Sequence, residues 1–534
     1  MGSSQKECLK ILMFPWLAHG HISPFIELAK NLSDRDFHCY ICSTPVILNS
    51  IKNKIPEKYS VSINLVELHL PTLSELPPHY HTTNGLPPNL NPTLRKALKM
   101  AKPNFLNLVK TLHPDLLIFD ILQPWAGAIA SLQNIPSVTF FTSGAAMFSY
   151  FYHLGMHPGD NFPFPAIQLS KFELSMALGI MESHESEEKD PDDEAFQRND
   201  GIILVNSSRD IEGKYMDYLS GMINKKIMPT GALVQDPCNE VYDDSEMIME
   251  WLRGKNEFSS VFVSFGSEYF LKKEEIEEIA IGLELSNVNF IWIIRFPKGE
   301  EMRVEEALPE GFLERVGERG MILEKWAPQA KILSHSSVGG FVSHCGWNSL
   351  LESIDYGVPV IAMPVHLDQP LNAKLVVELG VGVEVKRDDN GRFHRDEISK
   401  VIRDVVIGQT GEVLRRKIGE KRESIRLRSR DEVEEVAKKL AQLCGLWRVT
   451  HRVSWSTAAG RFAGILDPRT GFFSNCGGFP ASCQVLRIFW AAHFDGEGRW
   501  NEACVSWRRF EGAAVFALEK GLRLTVPNVI LSKH

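Results

Sequence analysis

WAPQAKILSHSSVGGFVSHCGWNSLLESIDYGVPVIAMPVHLDQ, residues 326–369, sets two tryptophans, a histidine and paired acid and amide groups around one strand-to-helix turn. The apolar run 339–343 predicts a buried parallel strand, and residues 347–356 predict the helix after it, closed by Gly357 and Pro359. Such a turn aims backbone N–H groups and the positive end of a helix dipole at one point, which favours a diphosphate without help from a metal. His344, Asn348 and Ser349 stand where they complete that cradle, so the stretch reads as a nucleotide-sugar pocket. Structural readings exist beside this one: Ser349-Leu350-Leu351-Glu352 fits a capping box, and Trp326 or Trp347 alone fits a core position. Their joint spacing over the whole segment favours the pocket.

The segment resembles, without a gap, the donor-binding signature of plant UDP-dependent glycosyltransferases. The resemblance implies that Trp326 stacks on uracil, Gln329 holds the base edge, His344 and Ser349 contact the phosphates and Glu352 holds the ribose hydroxyls. It assigns the sugar hydroxyls to Trp347, Asn348, Asp368 and Gln369. A glutamine at the last position goes with glucose in that family, so UDP-glucose is the expected donor. Ser267, in the earlier strand-turn VFVSFGS at 261–267, resembles a further phosphate contact.

A second constellation lies near the N-terminus, where residues 9–14 read as an apolar strand, PWLAHGHISP at 15–24 as the turn out of it and residues 24–32 as a helix. His21 is the candidate base. A neutral imidazole takes a proton from a hydroxyl near neutral pH, and does so better when a carboxylate orients it and stabilises the imidazolium. Asp120 is the expected partner: it ends the strand 115–119, and the carboxyl ends of strands in open α/β sheets converge on the ligand crevice. The family's catalytic histidine and its aspartate match the same two positions, with His19 as the rival. The implied chemistry is a single inverting displacement in which UDP leaves against the helix N-terminus, His344 and Ser349. No divalent metal is expected, because Asp34-Arg35-Asp36 and Asp190-Pro191-Asp192 read as solvated turn and loop residues rather than a metal-binding pair.

Length and composition frame these motifs: 534 residues exceed a single core, and 44% hydrophobic with 23% charged residues is ordinary for a soluble globular chain. A net charge of −9 offers nothing to nucleic acid or an anionic membrane. No apolar run reaches a membrane-spanning length and the N-terminus lacks a signal-type apolar core, so a cytoplasmic enzyme, a monomer, is expected. Nine scattered cysteines suit a reducing compartment, and Cys39-Tyr40-Ile41-Cys42 reads as core cysteines inside a strand. Strands alternating with helical stretches predict α/β architecture, and with the resemblance the expected fold is GT-B, two Rossmann-like domains facing across a cleft. Residues 1–231 are expected to form the acceptor-binding domain, 232–244 a linker, 245–429 the UDP-sugar-binding domain and 430–444 a helix returning to the first domain. The acidic segment 182–194 reads as a mobile loop, and the absence of Gly-x-Gly-x-x-Gly counts against a dehydrogenase.

The acceptor is harder to read, because variable loops shape its pocket. FPWLAHGH at 14–21, IFDILQPW at 118–125 and NSSRDIE at 206–212 resemble the branch that extends sugars already attached to flavonoids, terpenoids or crocetin, the glucosyl-crocetin β-1,6-glucosyltransferase type among them. The acceptor would then be a flavonoid, terpenoid or apocarotenoid glycoside, walled by Trp16, Trp125, Phe148 and Tyr152. Glucosylation of an aglycone hydroxyl or carboxyl, or silent UDP-sugar binding, are the alternatives. The resemblance stops near residue 444. Residues 445–534 carry 11 Lys+Arg against 6 Asp+Glu and include five tryptophans, with neither sustained helical periodicity nor a clear strand-turn series. They read as an unselected extension without a role in catalysis, or else as an accessory domain or a block on the cleft.

Overall fold

The computed structural model describes residues 8–175, 201–237, 244–296, 303–324, 326–388, 390–458, 505–510 and 513–518, so the segment 182–194 and Asp190-Pro191-Asp192 lie outside the described residues. Two parallel sheets organise the chain. The first is built from β1 (Leu9–Phe14), β2 (Phe37–Ser43), β3 (Ile63–Glu67), β4 (Leu116–Asp120), β5 (Ser137–Phe141), β6 (Ile202–Val205) and β7 (Lys226–Pro229), in the order 3-2-1-4-5-6-7. The second is built from β8 (Ser260–Ser264), β9 (Asn289–Ile293), β10 (Gly320–Leu323), β11 (Val338–Ser343), β12 (Val360–Ala362) and β13 (Gly382–Glu384), in the order 10-9-8-11-12-13. The apolar run of β4 and the last four residues of β1 are buried throughout, as strands covered on both faces require. Each sheet reverses direction about a central pair, β1/β4 and β8/β11, and at such switch points the strand ends leave a crevice for a ligand.

The helix Trp347–Tyr356 follows β11 as expected, and Gly357 closes it at φ +75°, a left-handed turn that suits glycine. The helix after β1 runs His19–Ser33, beginning five residues before the expected Pro24 and containing that proline. The expected helix at 430–444 is part of a much longer one, Gln409–Ala458. Its Val436, Ala437, Leu440 and Cys444 join the core around β1 and β4, while Ile418 and Ile425 join the cluster that holds Trp347 and Phe148. That second cluster draws on both sheets' helices, so the two lobes share apolar contact.

Cys39 and Cys42 are free, fully buried thiols in β2, and burial pushes the Cys39 thiol up to about 12, as core cysteines rather than a reactive pair. No helix among the described residues is long and apolar enough to cross a membrane. The described residues up to Trp447 form one compact unit and those from Arg448 a second. Within the second, β14 (Val505–Phe510) pairs antiparallel with β15 (Ala513–Leu518), so the tail holds a strand pair where the sequence offered no clear strand-turn series.

Candidate active site

The strand ends of the two switch points carry the candidate catalytic and donor residues. His21 lies in the first turn of the helix after β1, and Asp120 is the last residue of β4, the strand paired with β1. Their contact is direct: His21 Nδ1 lies 2.7 Å from Asp120 Oδ2. Asp120 is fully buried and accepts the Leu122 N–H on its other oxygen at 3.0 Å, while the His21 side chain keeps a quarter of its surface exposed. Thr142, one residue beyond β5, brings its hydroxyl to 2.9 Å from the same Nδ1. An Nδ1–H donated to the carboxylate leaves Nε2 with its lone pair, the tautomer a base needs. Burial alone would lower the imidazole's pKa, but the Asp120 carboxylate, with Glu268 and Asp368 beyond it, raises it above the ordinary 6.5. His19, the rival, has its ring tilted against Trp326 at 5.1 Å.

On the facing lobe, β11 ends in a turn where Cys345 takes φ +68°, a conformation that costs a non-glycine residue energy and persists where its surroundings enforce it. The helix Trp347–Tyr356 starts here, and its first N–H groups have no partners within the helix. Beside them the His344 imidazole is clamped between two glycines: a Cβ added at Gly266 or Gly346 would fall 2.6 or 2.5 Å from its Nε2. Burial and His366 push His344 down to about 4, so the ring is neutral near pH 7. Ser267 follows Gly266 on the turn out of β8. Gln329, from the short helix Gln329–Leu333, donates to Ser349 Oγ at 3.1 Å and to Glu352 Oε2 at 2.6 Å, joining three of the expected donor residues in one chain. The helix begins two residues before Ser349, so the capping-box reading of Ser349 and Glu352 is not realised.

Trp326 meets the Arg295 guanidinium 4.0 Å from one ring centroid and the His19 ring, tilted by 48°, at 5.1 Å. Asp368 precedes the helix Gln369–Leu379 and is bonded by Asn372 Nδ2 at 3.0 Å; burial raises its pKa, against a lowering by Asn372 and the nearby Ser143 hydroxyl. Two expected sugar contacts have their side chains engaged elsewhere. Trp347 is buried and donates its indole N–H to Asn206 O at 2.6 Å, so its backbone N–H, not its ring, faces the turn. The Gln369 amide oxygen accepts from Val365 and His366 N–H, both at 3.0 Å, and its NH₂ lies 2.8 Å from His366 Nδ1.

Asn348 links the lobes. Its Nδ2 donates to Gly20 O at 2.7 Å, and its Oδ1 accepts from Asn206 at 3.2 Å. Gly20 O is open for this because residue 24, which would donate to it in a regular helix, is a proline. A second link joins Thr83 Oγ1 to Glu268 Oε1 at 2.5 Å, while Thr83 N–H holds Leu17 O in the loop before His21.

The expected acceptor walls divide in two. Trp125 packs edge-on against Phe14 and Phe105 at 5.4 Å each, and Trp16 is 6% exposed, so both are core or nearly so. Phe148, 9% exposed and stacked on Phe141, is core as well, while Tyr152, one turn on along the helix Ala145–Met156, is half-buried. Thr142, Asn206, Glu268 and the two clamping glycines were not singled out from sequence. Their signal was position: Thr142, like Asp120, sits at a strand's carboxyl end.

Comparison with known proteins agrees with this geometry. The family described as "UDP-glucoronosyl and UDP-glucosyl transferase" matches residues 221–406, and "Glycosyltransferase, N-terminal domain" matches 7–233. The β-D-glucosyl crocetin β-1,6-glucosyltransferase of Gardenia jasminoides is 56% identical over 81% of this chain and 98% of its own length. A mogroside IIIx synthase of Siraitia grosvenorii is 50% identical over 83% of this chain and 94% of its own. The crystal structure of Glycyrrhiza uralensis UGT73P12 with glycyrrhetinic acid 3-O-monoglucuronide superposes with a TM-score of 0.72 at 23% identity, covering 85% of this chain and 99% of that one, a likeness of fold. With paired Rossmann-like sheets of GT-B type and relatives of this identity, the chain belongs to the UDP-glycosyltransferase family of plants and is a glycosyltransferase.

Proposed function

We propose that this enzyme transfers glucose from UDP-glucose, with inversion, to a sugar hydroxyl of a small plant glycoside. The observation that carries the reading is the 2.7 Å His21–Asp120 pair at the β1/β4 switch point, in a lobe bonded through Gly20 to the turn of β11. His21 Nε2 takes the proton of the acceptor hydroxyl as its oxygen attacks the anomeric carbon, and the bond to UDP breaks with its electron pair on the diphosphate. Asp120 stabilises the imidazolium that forms. The leaving charge meets the N–H groups of Trp347, Asn348 and Ser349, neutral His344 and Ser267, donors fixed before the reaction. Uracil stacks on Trp326, and Gln329 and Glu352 exchange their mutual bond for the base and ribose. Asp368 takes a glucose hydroxyl, and Tyr152 lines the acceptor space.

Residues 1–231 supply the acceptor and base side, 245–429 the donor side, and the displacement uses no divalent metal. The sugar acceptor is supported by the Gardenia relative, which acts on a glucosyl crocetin. A cytoplasmic setting is supported by the free thiols at Cys8, Cys39, Cys42 and Cys345. The test is UDP release from UDP-glucose by the full-length protein, with and without chelator, against aglycones paired with their monoglucosides, followed by product mass. Turnover confined to monoglucosides is expected. Equal turnover of aglycones overturns the sugar-acceptor reading, and no turnover of any acceptor overturns the transfer itself.

A further inference from the structure

Behind the base stands a buried carboxylate that the transfer mechanism does not use. Glu212 is fully buried on the helix Arg209–Ile223, where its own backbone leaves the helical region at φ −130° and ψ 18°. Its Oε2 accepts from Ala145 N–H at 2.9 Å and its Oε1 from Ala146 N–H at 2.7 Å. These are the first two residues of the helix Ala145–Met156, whose leading N–H groups need outside acceptors and whose dipole favours a negative charge there. The grip extends to the preceding residue, since a Cβ on Gly144 would fall 2.6 Å from Glu212 Oε1 and 2.9 Å from the Trp347 ring. The turn from β5 into this helix is therefore held between a carboxylate of one lobe and a tryptophan of the other.

That turn carries two groups that face the site: Thr142 Oγ1 lies 2.9 Å from His21 Nδ1, and the Ser143 hydroxyl is near enough to Asp368 to lower its pKa. The helix it opens carries Phe148 and Tyr152. We propose that Glu212 is a positioning residue for glucosyl transfer, its two oxygens fixing residues 142–146 so that Thr142 meets the base and Ser143 meets the aspartate at the sugar. The inference rests on the roles proposed above for His21 and Asp368. Desolvation pushes the Glu212 carboxyl up to about 7, a cost that an uncharged residue of similar size would avoid. A carboxylate kept there supplies what such a residue does not, two acceptors for two adjacent N–H groups.

The experiment compares full-length Glu212→Gln, Glu212→Asp and His21→Ala proteins by kcat, acceptor KM, UDP affinity by calorimetric titration, and melting temperature. The amide of Glu212→Gln turns an NH₂ against one of the two N–H groups. A misplacement of about 1 Å can cost on the order of 100-fold, so kcat is expected to fall about 10- to 100-fold. UDP affinity is expected to stay within about twofold, because the nucleotide contacts lie on the other lobe. Glu212→Asp, which keeps both oxygens, is expected to recover part of kcat. Glu212→Gln with native kcat, or a kcat loss matched by equal losses of UDP binding and folded protein, overturns the inference. Should Glu212→Gln not fold, Gly144→Ala and Thr142→Val probe the same turn, and native activity in both overturns it as well. Activity retained by His21→Ala would sink the base reading instead, a result separable from any outcome at Glu212.

Discussion

Replacing Asp120 by asparagine tests the centre of the proposed mechanism with the least change of shape. The native contact is 2.7 Å between His21 Nδ1 and an aspartate with no exposed surface. A hydrogen bond to a charged group contributes about 1.5–3 kcal/mol, which at about 1.4 kcal/mol per tenfold is a loss of roughly 10- to 150-fold. The amide can also present its NH₂ to Nδ1, which favours the tautomer with the proton on Nε2 and removes the base, worth about 10²–10⁴-fold in general base catalysis. Asp120→Asn is therefore expected to lower kcat about 100- to 1,000-fold, with UDP affinity within about threefold of native. The pH profile gives an independent check. A base works unprotonated, so activity falls as pH drops through the His21 pKa, which stands above 6.5 because Asp120 outweighs the lowering by burial. Without the carboxylate, burial prevails and the residual acid limb moves to lower pH. The same raised pKa stabilises the fold fully below about 6.5 and loses that contribution as pH rises through the folded value, so the variant's stability deficit is larger at acid pH. Steady-state UDP release from pH 5 to 9 reads both effects. A kcat within about threefold of native and an unmoved acid limb would refute the dyad.

Gly266→Ala is expected to weaken UDP-glucose binding about tenfold or more, since φ is +77° and the new Cβ would fall 2.6 Å from His344 Nε2; unchanged affinity by calorimetry would show that His344 does not serve the phosphates. Pro24→Ala restores a helical donor to Gly20 O in competition with Asn348, and is expected to raise melting temperature slightly while lowering kcat about 3- to 10-fold; unaltered kinetics would mean that the Asn348–Gly20 bond does not matter to turnover. A protein ending at Cys444 keeps Val436, Leu440 and Cys444 for the first lobe's core and is expected to turn over within about twofold of the full chain, whereas a large gain would mark residues 445–534 as inhibitory.

Much of the site was legible because its residues stand at ends of strands that sequence marks clearly. Runs such as LLIFD leave no doubt of a covered parallel strand, and Asp120 then falls at its carboxyl end. The histidine of the turn after β1 and the 326–369 segment followed by the same logic. Contacts that close only in three dimensions were not legible. Nothing in the sequence aims the Trp347 indole at Asn206 O or folds the Gln369 amide onto residues 365 and 366. The helix after β1 was misjudged for a physical reason: proline favours a helix start, but here it lies inside, tolerated because the carbonyl it deprives of a donor finds another.

That exception points to how the two lobes are coupled. Several residues expected to handle the donor are also among those that join the lobes. Asn348, on the first turn of the helix Trp347–Tyr356, bonds Gly20 beside His21; Trp347, its neighbour, bonds Asn206; and Glu268, next to Ser267, takes Thr83, whose N–H holds the loop before His21. Each contact is small, about 0.5–1.5 kcal/mol for a typical hydrogen bond, so none locks the cleft alone. Because they radiate from the turns after β8 and β11, a donor that orders those turns stabilises the arrangement that sets His21 against its acceptor. Binding energy from the nucleotide, remote from the anomeric carbon, would thus be spent on placing the base, the use that most raises turnover.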